Sequence, residues 1–289
     1  MRSEEEMLQL ILDTAREDER IRAVIMNGSR ANPNAPRDFF QDYDVVYFVE
    51  DIQPFRNNYE WIQRFGELMI LQEPEDMADP PPGPGGFFTY LMQFTDGNRI
   101  DLGIYPLDKI VEQCTDSLSI LLLDKDGRVP VLPPANEDAY LPKKPTAKNF
   151  ADCCNVFWWV CPYVAKGLWR REIVYARFML DEVVRAELMK MLRWYIGIRT
   201  DFAINPGKYG KYYQRYLEAE EWEMLLGTYA AGDYEPTWEA LLLMGKLFRK
   251  AALDVAGHFG FQYPQREDDN VTAHLEHVRS LPREAQEMY

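Results

Sequence analysis

Asp42 and Asp44 flank a single tyrosine in DYDVVYFV. The run reads as a strand, and residues two apart on a strand leave the same face, roughly 6.5–7 Å apart along the backbone. Adjacent carboxylates repel unless solvent or a cation neutralises them. Mg²⁺ is the natural neutraliser, since it takes carboxylate oxygens and keeps coordination places for a substrate phosphate. The preceding apolar run, IRAVIM, ends in Asn27-Gly28-Ser29-Arg30. Gly28 lets backbone approach a phosphate closely, Ser29 donates from N–H and hydroxyl, and Arg30 adds charge for a phosphate tail. Taken singly, the aspartates also fit the solvated face of an edge strand, Ser29 a turn and Arg30 open solvent.

A third carboxylate, Asp101, lies inside RIDLGIY. A neighbouring strand would bring it beside the first two. Three carboxylates on adjacent strands make either a metal cradle or a metal pair plus a general base. The plainer reading of Asp101 is an outward residue of an alternating strand.

The elements that must hold these groups alternate in type. Residues 4–17 have the spacing of an amphipathic helix, with Met7, Ile11 and Ala15 on one stripe. Strands are expected at 21–26, 42–49 and LMILQE, with a helix at WIQRFGEL between the last two. DPPPGPGG at 79–86 excludes regular structure and reads as a flexible rim loop. FFTYLMQFT and RIDLGIY form a hairpin across the DGN turn at 96–98. A helix from Leu107 to about Cys114 and the apolar run LSILLLD follow. Five prolines between Arg128 and Pro145 mark a linker or extended crossing. Beyond it the period turns helical, at about 148–168, 171–198, 210–229 and 235–260. The expected organisation is an α+β fold, with a mixed sheet flanked by helices over 1–135 and an α-helical bundle over 136–289.

Composition narrows the function classes. A net charge of -15 argues against nucleic acid as a partner and suits a cationic one, or simple solubility. No run approaches the roughly 20 apolar residues that span a bilayer, so no membrane role is expected. The acidic start, MRSEEEMLQL, lacks the shape of a signal peptide. Cys114, Cys153, Cys154 and Cys161 form no CxxC pair and are expected to be reduced thiols of a cytoplasmic protein. CCNVFWWVC reads as a buried helix with small fillers, and His274 with His277 as a surface pair lacking enough zinc ligands.

The spacing of NGSR, DYDVV and the later RIDLGIY resembles the nucleotidyltransferase superfamily typified by DNA polymerase β. Within it, GSR...DFFQDYDVVYFV, QEPEDM, LLLDKDGRV, PTAKNFADCCNVFWWV and YVAKGLWRREI resemble the aminoglycoside 6-adenylyltransferases, across most of the chain. The resemblance implies a polymerase β-like catalytic domain with a helical domain that helps close the site. It implies transfer of AMP from ATP to a hydroxyl of streptomycin, or a close relative, with release of pyrophosphate and antibiotic resistance. Asp42 and Asp44 would hold Mg²⁺, Gly28, Ser29 and Arg30 the leaving pyrophosphate, and Asp101 would be the base or complete the metal cradle.

Lys166 and Arg170, four apart on one helical face with Tyr163 near them, are the expected nucleotide contacts of the second domain, unless they are ordinary surface cations. A cationic, hydroxyl-rich acceptor calls for an acidic, aromatic pocket, with Glu75, Asp76, Asp181, Glu182 and Glu187 as candidates. A monomer or weak dimer is expected. Two other functions fit the same residues: the same chemistry on another acceptor, or a nucleotide- or polycation-binding module without turnover.

Overall fold

The computed structural model describes residues 1–81, 83 and 85–289. Pro82 and Pro84, part of the proline-rich loop, lie outside the described residues. The chain divides into two compact units, Met1–Ala139 and Tyr140–Tyr289.

In the first unit, α1 (Glu4–Glu17) starts at Ser3, whose hydroxyl accepts from the Glu6 backbone while the Glu6 carboxylate accepts from Ser3. This reciprocal cap satisfies two N–H groups that a helix start leaves open. Six strands follow: β1 (Ile21–Asn27), β2 (Tyr43–Val49), β3 (Leu68–Gln72), β4 (Phe88–Phe94), β5 (Arg99–Pro106) and β6 (Ile120–Asp124). They form one mixed sheet in the order β3-β4-β5-β2-β1-β6. Among the described residues only the β2–β5 pair is parallel; β1–β2, β1–β6, β3–β4 and β4–β5 are antiparallel. Short helices α2 (Gly28–Ala31), α3 (Tyr59–Ile62) and α4 (Ile110–Gln113) lie between strands.

Alternation along the central strands sends side chains to two unequal faces. Tyr43, Val45, Tyr47 and Val49 join Ile100, Leu102 and Ile104 in a large core that also takes Met7, Ile11 and Ala15 of α1. On the other face only a small cluster forms, with Ala23, Ile25, Val46, Phe48 and Ile110. Asp44 precedes Val46 and Phe48 on that face, and Asp101 precedes Gly103 and Tyr105. Polar residues thus stand beyond the small cluster on that face.

The second unit contains α5 (Ala147–Trp169), α6 (Ile173–Phe178), α7 (Arg185–Arg199), α8 (Ala219–Gly227), α9 (Tyr234–Phe259) and α10 (Gln265–Ser280). Thr146 caps α5 in a reciprocal box with Asn149. One core runs through α5, α7, α9 and α10, with Phe157, Trp158, Leu192, Phe248 and Leu275 buried in it. Cys153, Cys154 and Cys161 are buried free thiols within it, and Cys114 is a half-buried free thiol.

Three helical expectations differ from the structure. The 171–198 segment contains a π-helical turn, Met179–Val184, between α6 and α7. The expected 210–229 helix is confined to α8, because Tyr209 and Gly210 at positive φ and two 3₁₀ turns break the chain before it. The helix α10 falls outside the four expected segments. It is sparsely apolar, and its buried Asp268 is held by Arg249, Tyr263 and Thr272 rather than by apolar packing. No helix among the described residues is long and apolar enough to cross a membrane.

Candidate active site

The register of the sheet assembles the carboxylates. Asp44 on β2 stands beside Asp101 on β5, and across the other neighbour it faces Asn27 of β1. Leu91 of β4 completes this lateral row on the far side of Asp101. Asp42 enters from the residue just before β2. Asp42, Asp44 and Asp101, all half-buried, each offer a carboxylate oxygen, and the three oxygens lie within 4.8 Å of one another.

The electrostatic consequence falls on Asp44. Burial, followed by the negative charges of Asp42 and Asp101, pushes its carboxyl up to about 7. Asp116 adds to the same field. A buried acid flanked by like charges favours whatever brings positive charge to it. Such a set of hard oxygen donors fits a divalent cation of the Mg²⁺ type.

Gly28 forms the opposite wall. Its φ is +71°, a conformation that L side chains rarely adopt. A β-carbon built on it would stand 2.0 Å from Oδ2 of Asp44. The turn therefore brings bare backbone against the carboxylate. Asn27 is fixed by the Ser119 hydroxyl, which donates to its side-chain oxygen at 2.8 Å. Ser29 is half-buried, and its carbonyl accepts from the Gln41 side chain at 3.2 Å. Its hydroxyl has no partner among the described residues.

Arg30 is placed differently from a phosphate-binding arginine. Its side chain is buried, donates to the carbonyls of Asp42 at 3.0 Å and Gln41 at 2.8 Å, and lies 3.7 Å over the Tyr43 ring. Glu4 pairs with it at 3.2 Å. The guanidinium thus staples the far end of the 30–41 loop and fixes the backbone from which Asp42 projects. Arg99, to which the sequence reading gave no role, donates to both oxygens of Asp101 at 2.7 Å and approaches Asp42 at 4.0 Å. The signal for it was present: Arg99 and Asp101 are two apart on one strand and leave the same face.

The remaining candidates are scattered. Glu75 accepts from the Thr89 backbone at 2.8 Å, where β4 starts. It is one of the charges that push the Tyr105 hydroxyl up, after burial. Asp76 pairs with Arg56 at 3.6 Å. Asp181 is shared by Arg177 and Arg185, each at 2.9 Å, and Glu187 is paired with Lys190 at 2.6 Å. Glu182 is exposed with no partner among the described residues. In the second unit, Lys166 and Arg170 line a cavity of about 450 Å³ with Tyr163, Trp169 and His274. The Lys166 ammonium lies 4.9 Å from the centre of the Tyr163 ring. Neither cation has a carboxylate partner among the described residues. His274 and His277 meet the C-terminal tail, at the Tyr289 hydroxyl and the Met288 carbonyl.

The chain resembles known proteins over most of its length. The family model for streptomycin adenylyltransferase matches residues 1–278. The chain is 41% identical to an aminoglycoside 6-adenylyltransferase of Bacillus subtilis, over 96% of this chain and 98% of that protein. It is 45% identical to one from Campylobacter jejuni, over 91% of this chain and 92% of that protein. A crystal structure of an aminoglycoside 6-adenyltransferase from Bacillus subtilis matches 97% of this chain and 100% of that one, with 37% identity and a TM-score of 0.48. With its whole sheet and most of its helical unit inside the matched span, this chain belongs to the streptomycin adenylyltransferase family.

Proposed function

We propose that the protein transfers AMP from ATP to a hydroxyl of an aminoglycoside, releasing pyrophosphate, with the 6-position of streptomycin as the leading acceptor. The observation that carries this reading is the meeting of Asp42, Asp44 and Asp101 beside the bare backbone of Gly28. Family membership and the names of the relatives supply the transferred group and the acceptor class.

Asp42 and Asp44 would hold Mg²⁺, with Asp101 as a third donor or free of it. The ion, when bound, supplies positive charge to the phosphates and makes the α-phosphorus more electrophilic. The donor set fits: three hard oxygen donors lie close together, one of them an acid that burial and like charges keep from ionising readily.

The chain's own residues do the rest. Ser29 offers its hydroxyl and backbone N–H to the leaving pyrophosphate, and Gly28 admits the phosphate close to the main chain. Arg30 keeps Asp42 in position through the backbone. Asp101 takes the proton of the acceptor hydroxyl as its oxygen attacks the α-phosphorus. The bond from that phosphorus to the β-phosphate oxygen breaks, and pyrophosphate leaves with the electron pair. Positioning and charge neutralisation are the main sources of rate in such a transfer. Glu75, which accepts from Thr89 at the start of β4 and acts electrostatically on Tyr105, is the acidic contact we favour for a cationic acceptor. Lys166 and Arg170 are cations suited to phosphate.

The test is pyrophosphate release by the full chain with ATP and Mg²⁺ across a panel of aminoglycosides. Turnover with streptomycin is expected. Turnover only with other acceptors would keep the chemistry and move the acceptor. ATP binding without turnover on any acceptor would reduce the protein to a binding module.

A further inference from the structure

We propose that Arg99 is a built-in competitor of the metal: a mobile counter-ion that occupies the carboxylate triad and must be displaced from Asp101 when a divalent cation binds. This rests on the reading of the triad as a metal site.

Both oxygens of Asp101 are engaged by Arg99, at 2.7 Å each, in the two-pronged geometry that a guanidinium makes with a carboxylate. The same guanidinium reaches Asp42 at 4.0 Å. These are two of the three carboxylates that offer oxygens within 4.8 Å of one another. A guanidinium and a divalent cation therefore draw on the same oxygens. Their positive charges also repel, so both cannot hold the cluster at full strength.

Two features make Arg99 displaceable. It is the first residue of β5, and its side chain is 44% exposed. Among the described residues, its side chain bonds only these carboxylates. Arg30 provides the contrast within the same site. It is 6% exposed, and two backbone carbonyls and Glu4 hold it. One arginine is built into the loop, and the other is free to leave for solvent at small cost.

Arg99 also explains how the sheet tolerates three neighbouring acids. A single positive charge offsets part of their repulsion, and among the described residues no other cation lies within 4.0 Å of any of the three carboxylates. Removing it should loosen the metal-free protein and tighten metal binding together. A purely structural salt bridge would lower stability without improving affinity for a cation.

The experiment is Mn²⁺ binding to the full chain without nucleotide, by calorimetry, for wild type, Arg99→Gln, Arg99→Lys and Asp42→Asn. Melting temperatures are read in parallel in chelator and in excess Mn²⁺. Arg99→Gln is expected to bind Mn²⁺ about three- to tenfold tighter than wild type. It should melt lower in chelator and gain more on adding Mn²⁺. Arg99→Lys, which keeps the charge and loses the fork, should lie between them. Equal or weaker Mn²⁺ binding by Arg99→Gln, with Asp42→Asn still impaired, would overturn the competitor role and leave the metal site standing. Failure of wild type and Arg99→Gln alike to bind Mn²⁺ better than Asp42→Asn would overturn the metal site and this proposal together.

Discussion

The Asp44 carboxylate occupies the space that a side chain on Gly28 would need: Oδ2 lies 2.0 Å from where the β-carbon would be. Gly28 also holds φ at +71°. Substitution by alanine therefore strains the turn and pushes Asp44 away from Asp42 and Asp101. Gly28→Ala is expected to lower unfolding stability by about 1–3 kcal/mol and to abolish transfer. Denaturant unfolding and a pyrophosphate assay check both effects. A variant that keeps full activity would show that close approach at this turn is dispensable.

Asp42→Asn and Asp44→Asn remove charge and keep shape. Each should lower the transfer rate by at least about 100-fold, the loss expected when a donor to the metal and its charge neutralisation disappear. Asp44→Asn should melt no lower than wild type in chelator, because it relieves a half-buried carboxylate of two like-charged neighbours. A large drop in its melting temperature would mean that Asp44 serves the fold rather than the site.

Asp101→Asn separates two roles that geometry alone leaves joined. As the base, Asp101 acts on the proton in flight, so its loss should depress the rate far more than it weakens ATP binding. Single-turnover rates and ATP affinity, measured on the same variant, check this. Equal losses in both would assign Asp101 to the metal cradle.

Much of this site was legible in the sequence because strand alternation is strict. Asp42, Asp44 and Asp101 are spaced to leave one face, and the parallel pairing of β2 with β5 sets Asp44 beside Asp101. Gly28 announced a close approach. Arg30 was harder to read, since its partners are the carbonyls of Gln41 and Asp42, which no side-chain pattern encodes. The ion pairs of Asp181 with Arg177 and Arg185, and of Glu187 with Lys190, were not legible, because a single sequence does not reveal which charges a fold brings together. The helix α10 was missed because Asp268, polar in sequence, is fully buried through its bonds to Arg249 and Tyr263. Hydrophobic periodicity cannot register a core position filled by a charge.

The start of the chain carries its own pH signature. Arg2 donates to Asp96 from its backbone at 3.1 Å and from its side chain at 2.7 Å, and Asn98 donates twice more. The Arg2 guanidinium, ahead of the Asn98 bonds, holds the Asp96 carboxyl well below the usual carboxylate range. A depressed folded value means that the contribution is complete above the unfolded value of about 3.9 and is lost as pH falls through the folded one. Asp96→Asn should cost about 1–3 kcal/mol of stability at neutral pH and less at pH values below the unfolded one. Urea unfolding of both proteins across that range checks it. A cost independent of pH would remove the carboxylate's charge from the explanation.

The proposed transfer of an adenylyl group to an aminoglycoside needs the whole carboxylate triad. Mass spectrometry of streptomycin incubated with ATP, Mg²⁺ and either the wild-type chain or Asp42→Asn tests it most directly. Streptomycin heavier by one adenylyl group is expected with wild type, and unmodified drug with the variant. Modified drug from both proteins, or from neither although pyrophosphate is released, would contradict it.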